Sequence, residues 1–332
     1  MDFKRVTVLG CGALGTAWAH VLASKGLDVH LWARRDDQAK NVQRNRKNEE
    51  YLSGIELAPN LDITADISCV EKADIVILAI PAQQNRQVLK DIAERIRVGT
   101  PLVLCAKGLE QKTLALMSDI ATALAAHLPV FVLSGPGFAE DIAMNKPVAL
   151  VLAGVCDAAL HSALQHTLAT PFLRIYAVND LIGTQIGGAL KNVYAIACGA
   201  VAGFSLGNSA QAALMTRGFA EMLSIATKMG GQVKALVGLA GVGDLTLTCQ
   251  SFKSRNYALG FSLAADAVGE RAPPMVRGVC EGKATVDAAV LLVKNLEVEA
   301  PICRITQEFL AGRTNIASAV SELMERPLIW EY

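Results

Sequence analysis

The sequence predicts an α/β fold in which a doubly wound sheet is followed by an all-helical second part. In the first half, short runs rich in Val, Ile and Leu alternate with stretches of helical period, a pattern typical of parallel strands buried between helices. After about Asp180 the strand-like runs end, and long segments rich in Ala, Leu and Gly follow. A chain of 332 residues, 52% of them hydrophobic, has material for two domains, which we place at 1–180 and 181–332.

Seven segments of the first half have the composition and length of buried parallel strands. They are 5–10, 28–33, 73–80, 101–107, 129–136, 147–154 and 173–178. Most are separated by a helical pattern, as at 85–96, and this alternation predicts an open, doubly wound sheet. Asn179 or Asp180 is the expected cap of the long helix that follows the last strand.

Composition and charge exclude several classes of function. Lys plus Arg and Asp plus Glu each number 31, so no basic excess is available to attract nucleic acid or anionic lipid. The eight cysteines are scattered without a CxxC pair or a histidine at ligand spacing, so we expect buried thiols in a reducing cytoplasm and no metal site. The first ten residues carry an acid at position 2 and lack the long apolar segment of a signal peptide. We therefore expect a cytoplasmic protein whose partner is a small molecule.

The segment between Lys191 and Arg217 contains no charged residue and is long enough to cross a bilayer. It is rich in Gly and Ala, however, and several polar residues interrupt it, so its apolar content is low for insertion. We predict two buried helices here and no stable membrane insertion.

The motif GCGALG supplies Gly10, Gly12 and Gly15 directly after the first strand and directly before a helical segment. In such a motif the first glycine makes a tight turn, the second lets the backbone approach a pyrophosphate, and the third lets the helix pack on the strand. The phosphate then lies at the helix N-terminus. Because the motif lies in the first strand-helix-strand unit, it predicts a Rossmann-like dinucleotide site in preference to an ordinary Gly-rich turn.

The residues after the second strand indicate which dinucleotide binds. An enzyme restricted to NAD usually has Asp or Glu there to bind the ribose 2′-hydroxyl, whereas this chain has Arg34 and Arg35. Two guanidiniums suit a 2′-phosphate. The alternative is a solvated basic turn, since Asp36 and Asp37 follow at once. The sequence favours NADP as the cofactor and leaves NAD open.

Lys191 is the one charged residue of the run GALKNVYAIACGA. Gly183, Gly187 and Gly188 precede it, as expected where another backbone or a ligand approaches a helix closely. Burial disfavours the charged amine, so we expect a lowered pKa, which suits a general base near neutral pH. The alternative is a lysine that extends from a buried helix to the surface.

A second polar group lies in GVGDLTLTCQSFKSRNYALG, residues 241–260. Asp244 is suited to orient the amine of Lys191. Ser254, Arg255 and Asn256 are suited to hold a phosphate by charge-assisted hydrogen bonds. The alternatives are an ordinary N-cap for Asp244 and a solvated loop for 254–256.

Seven motifs together resemble the prokaryotic type of NAD(P)-dependent glycerol-3-phosphate dehydrogenase, in order and spacing. They are GCGALGTAWA, AIPAQ, CAKGLE, SGPGFAEDIA, GGALKNVYAIACG, GVGDLTLTCQSFKSRN and VCEGKAT. The resemblance extends from the first strand to about residue 310. It implies a reversible reduction of dihydroxyacetone phosphate to sn-glycerol 3-phosphate that supplies phospholipid synthesis.

The resemblance also implies roles for single residues. Lys191 matches the general base, Asp244 an acid beside it, and Lys107 a lysine that contacts both substrate and cofactor. The other implied substrate contacts are Gly135, Gly137, Ser254, Arg255 and Asn256. The other implied cofactor contacts are Gly10, Gly12, Ala13, Leu14, Gly15, Arg34, Arg35, Ala139, Arg255, Val279 and Glu281. At Gly137 the chain departs from the family, which usually has Ser or Thr, so we expect a lost hydroxyl contact and an unchanged reaction type.

The implied chemistry is physically coherent. Reduction of a ketone by hydride develops negative charge on the carbonyl oxygen, and a positioned ammonium both stabilises and protonates that oxygen. The cofactor supplies the hydride, so the reaction needs no metal.

Two rival functions stay open from the sequence. One is a related Rossmann hydroxy-acid dehydrogenase with a lysine base, in which residues 254–256 would clamp a carboxylate. The other is a dinucleotide sensor without turnover, which has no reason to keep Lys107, Lys191 and Asp244 together. A homodimer is also possible, formed by the apolar helical part and the tail RPLIWEY, residues 326–332.

Overall fold

The computed structural model describes residues 2–269 and 278–325, together with 327 and 330. Within them, eight strands form one sheet in the order β3-β2-β1-β4-β5-β6-β7-β8. The strands are β1 Arg5–Leu9, β2 Asp28–Trp32, β3 Leu61–Thr64, β4 Ile75–Leu78, β5 Leu102–Leu104, β6 Val130–Ser134, β7 Val148–Gly154 and β8 Leu173–Val178. The chain winds outward in both directions from β1, so the predicted doubly wound, Rossmann-like sheet is confirmed.

Helices flank the sheet and form the whole of the second part of the described chain. They are α1 Ala13–Ser24, α2 Asp36–Asn45, α3 Asn85–Ile92, α4 Met117–Leu124, α5 Ala139–Ala143, α6 Ala158–Leu168, α7 Leu181–Gly203, α8 Asn208–Lys228, α9 Val233–Leu236, α10 Asp244–Cys249, α11 Arg255–Ala267, α12 Glu281–Leu296, α13 Pro301–Leu310 and α14 Ile316–Met324. One apolar core covers each face of the sheet and a third surrounds α7.

Two strand predictions need correction. The prediction omitted β3, whose four residues LDIT alternate between buried and half-buried and are too short to stand out in the sequence. It also treated 147–154 as parallel to its neighbours, whereas β7 runs antiparallel to β6 and parallel only to β8. The link between β6 and β7 carries a single five-residue helix, α5, which packs against α1 and provides no crossover of the usual length.

The long helix α7 forms the centre of the second part. Asp180 caps it, since one carboxylate oxygen accepts from the Gly183 N–H at 2.8 Å and the other from the Gln232 N–H at 2.7 Å. By length and composition, Leu181–Gly203 could span a membrane, since the mean hydropathy of its most apolar 18-residue window is 1.2. In this protein, however, 89% of that window is buried. The prediction of a buried helix is therefore confirmed for α7.

The prediction was wrong for much of α8. Its buried residues lie in the C-terminal half, at Gly218, Glu221, Met222, Ile225 and Ala226. The N-terminal half is uncharged but largely exposed, because its small and polar side chains do not require burial. The tail 326–332, which the sequence suggested as a possible contact between two copies of the chain, lies almost entirely outside the described residues.

The cysteines are less uniformly buried than predicted. All eight are free thiols, but Cys69, Cys156 and Cys280 are only half-buried. Cys156 lies two residues after β7 and Cys280 directly precedes α12, so both lie near the ends of elements instead of within the core.

Helices α7 and α11 cross with their backbones in contact. A Cβ atom at Gly260 of α11 would lie 1.9 Å from the carbonyl oxygen of Ile196, and one at Gly199 of α7 would lie 2.0 Å from that of Tyr257. No side chain fits in either place. The crossing therefore determines where the first turn of α11 meets α7.

We predict that Gly260→Ala destabilises the protein, because the added methyl group forces the two helices apart. Overpacking of this kind typically costs about 1–3 kcal/mol of unfolding free energy. Denaturant unfolding measures the loss. Gly238→Ala is the control, since a Cβ there has its nearest neighbour at an ordinary 3.6 Å, and equal stability of the two variants would contradict the prediction.

Candidate active site

Three charged groups meet where the sheet joins the helical part. Lys191 Nζ donates to Asp244 Oδ1 at 2.6 Å, and Lys107 Nζ donates to Asp244 Oδ2 at 2.7 Å. Lys191 also donates to the Thr248 hydroxyl at 2.9 Å. The side chain of Lys191 is 9% exposed and that of Asp244 is 2% exposed, so each depends on the others for charge compensation.

Burial and neighbouring charges set the protonation of this cluster. Burial lowers the pKa of Lys191 to about 8, against the opposing effect of the Asp244 carboxylate and with a further contribution from the charge of Lys107. Burial alone would raise the pKa of Asp244, but the two ammonium groups outweigh it, and the net shift is downward. Near neutral pH, Asp244 is a carboxylate and Lys191 is able to gain or lose a proton.

The structure decides both alternatives left open for these residues. Lys191 does not extend to the surface, because its amine ends at Asp244 and Thr248 within the protein. Asp244 does not act as an N-cap, because both carboxylate oxygens bind lysines.

Glycines on α7 allow the cluster to assemble. The chain enters α10 through one π-helical turn, Leu239–Gly243, and a Cβ at Gly187 would lie 2.6 Å from the Ala240 carbonyl oxygen in that turn. A Cβ at Gly188 would lie 3.4 Å from the Cγ atom of Lys107. The predicted close approach of another backbone therefore occurs at Gly187, whereas at Gly188 the neighbours are the side chains of Ser134 and Lys107.

Lys107 reaches the cluster from the sheet. It follows β5, and its ammonium also donates to the carbonyl oxygen of Gly135 at 3.0 Å. Gly135 has φ of +126°, a conformation that favours glycine. The next glycine, Gly137, is confined, since a Cβ there would lie 3.0 Å from Val148 Cγ1.

A chain of amides links the cluster to the start of α11. Asn192 Nδ2 donates to the Lys107 carbonyl oxygen, and Asn256 Nδ2 donates to Asn192 Oδ1, each at 2.9 Å. Asn256 Oδ1 accepts from the Gly282 N–H at 3.0 Å and from the Cys280 thiol at 2.9 Å. These bonds fix the orientation of the Asn256 amide.

The residues 254–256 begin α11 and do not form a solvated loop. Ser254 is its N-cap, and its hydroxyl accepts from the Tyr257 N–H at 3.3 Å. Ser254 and Asn256 are buried, while Arg255 is half-buried. Arg255 lines the neighbouring cleft and lies directly beside Gly278.

That cleft, of about 370 Å³, runs along the carboxyl ends of the central strands. Its described lining includes Gly10, Cys11, Gly12, Ala13, Leu14, Arg34, Arg35, Gln38, Tyr51, Arg255, Val279 and Glu281. Most of the predicted cofactor contacts are therefore together. Gly15 and Lys107 are not among the described lining residues, and neither is Ala139. Ala139 begins α5 and packs against the core of the sheet.

The glycine-rich turn fits a dinucleotide. A Cβ at Gly15 would lie 1.9 Å from the Gly10 carbonyl oxygen, whereas one at Gly12 would meet nothing within 4 Å. Gly12 is the N-cap of α1 and provides no side-chain hydrogen bond to the first turn. Backbone N–H groups at this end of α1 therefore have no side-chain partner and suit a pyrophosphate.

Glu281 connects the cleft to the lysine cluster. One carboxylate oxygen accepts from the Ala82 N–H at 2.9 Å and the other from the Lys107 N–H at 3.3 Å. Burial raises the pKa of Glu281. At the opposite end of the cleft, Arg34 and Arg35 are exposed, and Arg35 forms a 2.7 Å ion pair with Glu50.

Sequence reasoning missed two members of the site. Thr248 lies one helical turn after Asp244 and both accepts from Lys191 and donates to the Asp244 carbonyl oxygen at 2.5 Å. Asn192 directly follows Lys191 in the chain. Each lies next to a predicted site residue, since Asn192 follows Lys191 directly and Thr248 lies one helical turn after Asp244. That proximity was the signal that could have identified them.

Comparison with known proteins assigns both parts of the chain. Residues 5–159 match the family described as NAD-dependent glycerol-3-phosphate dehydrogenase N-terminus, and residues 180–321 match its C-terminus. The chain is 42% identical over 329 residues to a glycerol-3-phosphate dehydrogenase (NAD(P)+) of Caulobacter vibrioides, covering 99% of each. It is 41% identical over 328 residues to that of Parvibaculum lavamentivorans, covering 98% of each.

Solved structures agree with this assignment. A glycerol-3-phosphate dehydrogenase from Coxiella burnetii superposes with a TM-score of 0.90 at 31% identity, covering 98% of this chain and 99% of the other. A PanE/ApbA family ketopantoate reductase from Ralstonia eutropha gives a TM-score of 0.60 at 15% identity, covering 93% of this chain and 98% of the other. The second likeness concerns the fold alone.

We predict that Asp244→Ala lowers the free energy of unfolding at neutral pH by about 3–5 kcal/mol, because it leaves buried ammonium groups uncompensated. The folded state lowers the pKa of Asp244, so the stabilisation is complete above the ordinary carboxyl pKa and is lost as the pH falls below it. Denaturant unfolding at several pH values measures both effects.

The matched control for this prediction is Glu71→Ala, which removes an exposed carboxylate paired with Arg95. Its cost should stay below about 1 kcal/mol. A loss of similar size in the two variants would contradict the importance of the buried cluster.

Proposed function

The chain belongs to the NAD-dependent glycerol-3-phosphate dehydrogenase family, and from that premise we propose which residues carry its reaction. The enzyme reduces dihydroxyacetone phosphate reversibly to sn-glycerol 3-phosphate with NAD(P)H. The rival hydroxy-acid dehydrogenase and the sensor without turnover are not favoured. The observation that carries the proposal is the buried contact of Lys191 with Asp244 at 2.6 Å.

Lys191 is the proton-transfer group. In the direction of reduction, its ammonium donates a proton to the C2 carbonyl oxygen, and in the direction of oxidation its neutral amine takes the proton of the C2 hydroxyl. The dinucleotide supplies or accepts the hydride when it is bound. Asp244 and Thr248 hold the amine in one place, so little reorganisation is needed as charge develops on the substrate oxygen.

Lys107 and the start of α11 bind the rest of the substrate. The ammonium of Lys107 contributes positive charge beside Lys191, and the Lys107 side chain is less buried than that of Lys191, at 19% exposed, which supports its contact with the substrate. Arg255 and Asn256, with Ser254 beside them, hold the phosphate group. Gly135 and Gly137 bring the backbone after β6 close to the substrate, without a side-chain hydroxyl at Gly137.

The cofactor lies along the cleft, with its pyrophosphate at Gly10, Gly12, Ala13, Leu14 and Gly15. Val279, Glu281, Lys107 and Arg255 contact it near the reacting centre, and Ala139 stays a contact that only the resemblance implies. Arg34 and Arg35 favour NADPH, because two guanidiniums are suited to the 2′-phosphate.

We propose a division of the chain in which residues 1–180 hold the dinucleotide and residues 181–332 supply the base and the phosphate site. In the mostly small and polar first half of α8, Leu214 and Met215 are only partly buried, and these apolar side chains support a homodimer. We also propose a cytoplasmic location, which the free cysteines support because a reducing compartment keeps thiols reduced.

We expect purified protein to oxidise NADPH when dihydroxyacetone phosphate is added, and Lys191→Ala to lower kcat by about two to four orders of magnitude through the loss of acid-base catalysis. Absorbance of the reduced nicotinamide measures the rate. Lys294→Ala, which removes an exposed lysine of α12, is the control and should leave the rate unchanged. Turnover of hydroxy or keto acids alone, or an unaffected Lys191→Ala variant, would contradict the proposal.

The two directions of the reaction should respond oppositely to pH. Oxidation requires neutral Lys191, so kcat/KM for glycerol 3-phosphate should rise with pH and level off above about 8, while reduction declines above the same value. Asp244→Asn should move the midpoint to lower pH, because the carboxylate raises the pKa of Lys191. Profiles of both directions in wild type and variant test this, and a midpoint that rises in the variant would exclude Lys191 as the titrating group.

A further inference from the structure

We propose that Glu50 weakens the preference of this enzyme for NADPH over NADH by holding the guanidinium of Arg35 away from the cofactor 2′-phosphate. This inference rests on the proposed role of Arg34 and Arg35 in cofactor binding. It assigns a function to a carboxylate that neither the motifs nor the catalytic cluster uses.

Glu50 lies in a tight turn that is anchored to the glycine-rich loop. The turn spans 48–52 and is closed by the Leu52 N–H, which donates to the Asn48 carbonyl oxygen at 2.8 Å. Both ends are buried, with Asn48 at 1% and Leu52 at 4% exposure. Glu50 therefore has a fixed backbone although its side chain reaches solvent.

Asn48 provides the anchor. Its Nδ2 donates to the Cys11 carbonyl oxygen at 3.1 Å and to the Thr16 hydroxyl at 2.8 Å. Cys11 lies between the first two glycines of the dinucleotide motif, and Thr16 belongs to the helix that follows it. The turn that carries Glu50 is thus positioned by the same loop that positions the cofactor.

Two neighbours of Glu50 line the cofactor cleft. Arg35 Nη2 donates to Glu50 Oε2 at 2.7 Å, and both Arg35 and Tyr51 are cleft residues. Burial raises the pKa of Tyr51, and its hydrogen bond with Glu50 raises it further. The Glu50 carboxylate thus lies beside Arg35 and Tyr51, at the end of the cleft that Arg34 and Arg35 line. Among the described residues, the contact of Arg34 there is a long one of 3.5 Å to Gln84.

The charge of this carboxylate acts differently on the two cofactors. A 2′-phosphate must compete with Glu50 for Arg35 and is repelled by the negative charge, whereas the ribose 2′-hydroxyl of NADH is neutral. Cofactor preference is the difference between two affinities, so a group that penalises only one ligand changes the ratio directly. Because Glu50 and Arg35 are partly exposed, solvent and salt limit the effect to about three- to tenfold.

The test compares dissociation constants for NADPH and NADH, measured by nucleotide fluorescence titration without substrate. Glu50→Gln should bind NADPH about three- to tenfold more tightly than wild type and NADH within about twofold. Glu49→Gln is the matched control. It removes the adjacent carboxylate, which accepts from Ser53 and Gly54 instead of from Arg35, and should leave both constants within about twofold.

A double variant tests the route through Arg35. In an Arg35→Gln background, Glu50→Gln should change the NADPH-to-NADH ratio by less than about twofold. The proposal is overturned if Glu50→Gln leaves the wild-type ratio unchanged, if Glu49→Gln changes it equally, or if the effect persists in full without Arg35.

These outcomes are separable from failure of the proposed function. Binding is measured without dihydroxyacetone phosphate, so absent turnover would contradict the proposed reaction and leave the test of Glu50 intact. NADPH affinity unaffected by Arg35→Gln alone would contradict the proposed 2′-phosphate site, as would tighter binding of NADH than of NADPH by wild type.

Discussion

The contact of one buried carboxylate with two ammonium groups is the interaction on which the rest of this structure depends. Asp244 accepts from Lys191 of α7 and from Lys107, which follows β5 of the sheet. Burying these charges singly would cost several kcal/mol each, and only their mutual compensation makes the arrangement tenable. The same cluster therefore joins the helical part to the sheet and sets the protonation of Lys191, the group that we propose exchanges a proton with the substrate.

The helical part is built to bring this cluster together. Helix α7 lies in the centre, and its glycines allow the π-helical turn before α10 and the first half of α11 to approach within backbone contact. Larger side chains at Gly187 or Gly199 would displace Asp244 or the start of α11 from Lys191. The geometry of the site thus depends on glycines, which leave room for close backbone contact, as much as on the charged side chains.

The glycine-rich end of the cleft is built from backbone groups and exposed side chains instead of buried charges. There the backbone of the glycine-rich loop supplies the binding groups, and buried Asn48 attaches a second segment to that loop. Side chains at the rim are exposed and interact in high dielectric, so they adjust affinity by small factors instead of deciding whether a dinucleotide binds. The proposed proton-transfer group is therefore buried, whereas the side chains that we propose for cofactor discrimination are exposed at the rim of the cleft.

The sequence by itself determined the sheet-then-helices order and the position of the glycine-rich loop, and it singled out Lys191 as a lysine in an uncharged run, because these follow from local patterns of hydrophobicity and from glycine spacing. It did not reveal β3, the antiparallel direction of β7 or the exposed half of α8, which depend on strand partners and on packing that local composition does not record. Asn192 and Thr248 lie within two of the quoted motifs, but the sequence assigned no role to either. The partners of Lys191, Asp244 and Arg35 were decided only by tertiary structure, since hydrogen bonds such as those between Lys107 and Asp244 join residues 137 positions apart. Burial, and with it the lowered pKa of Lys191, exists only once those distant segments have packed together.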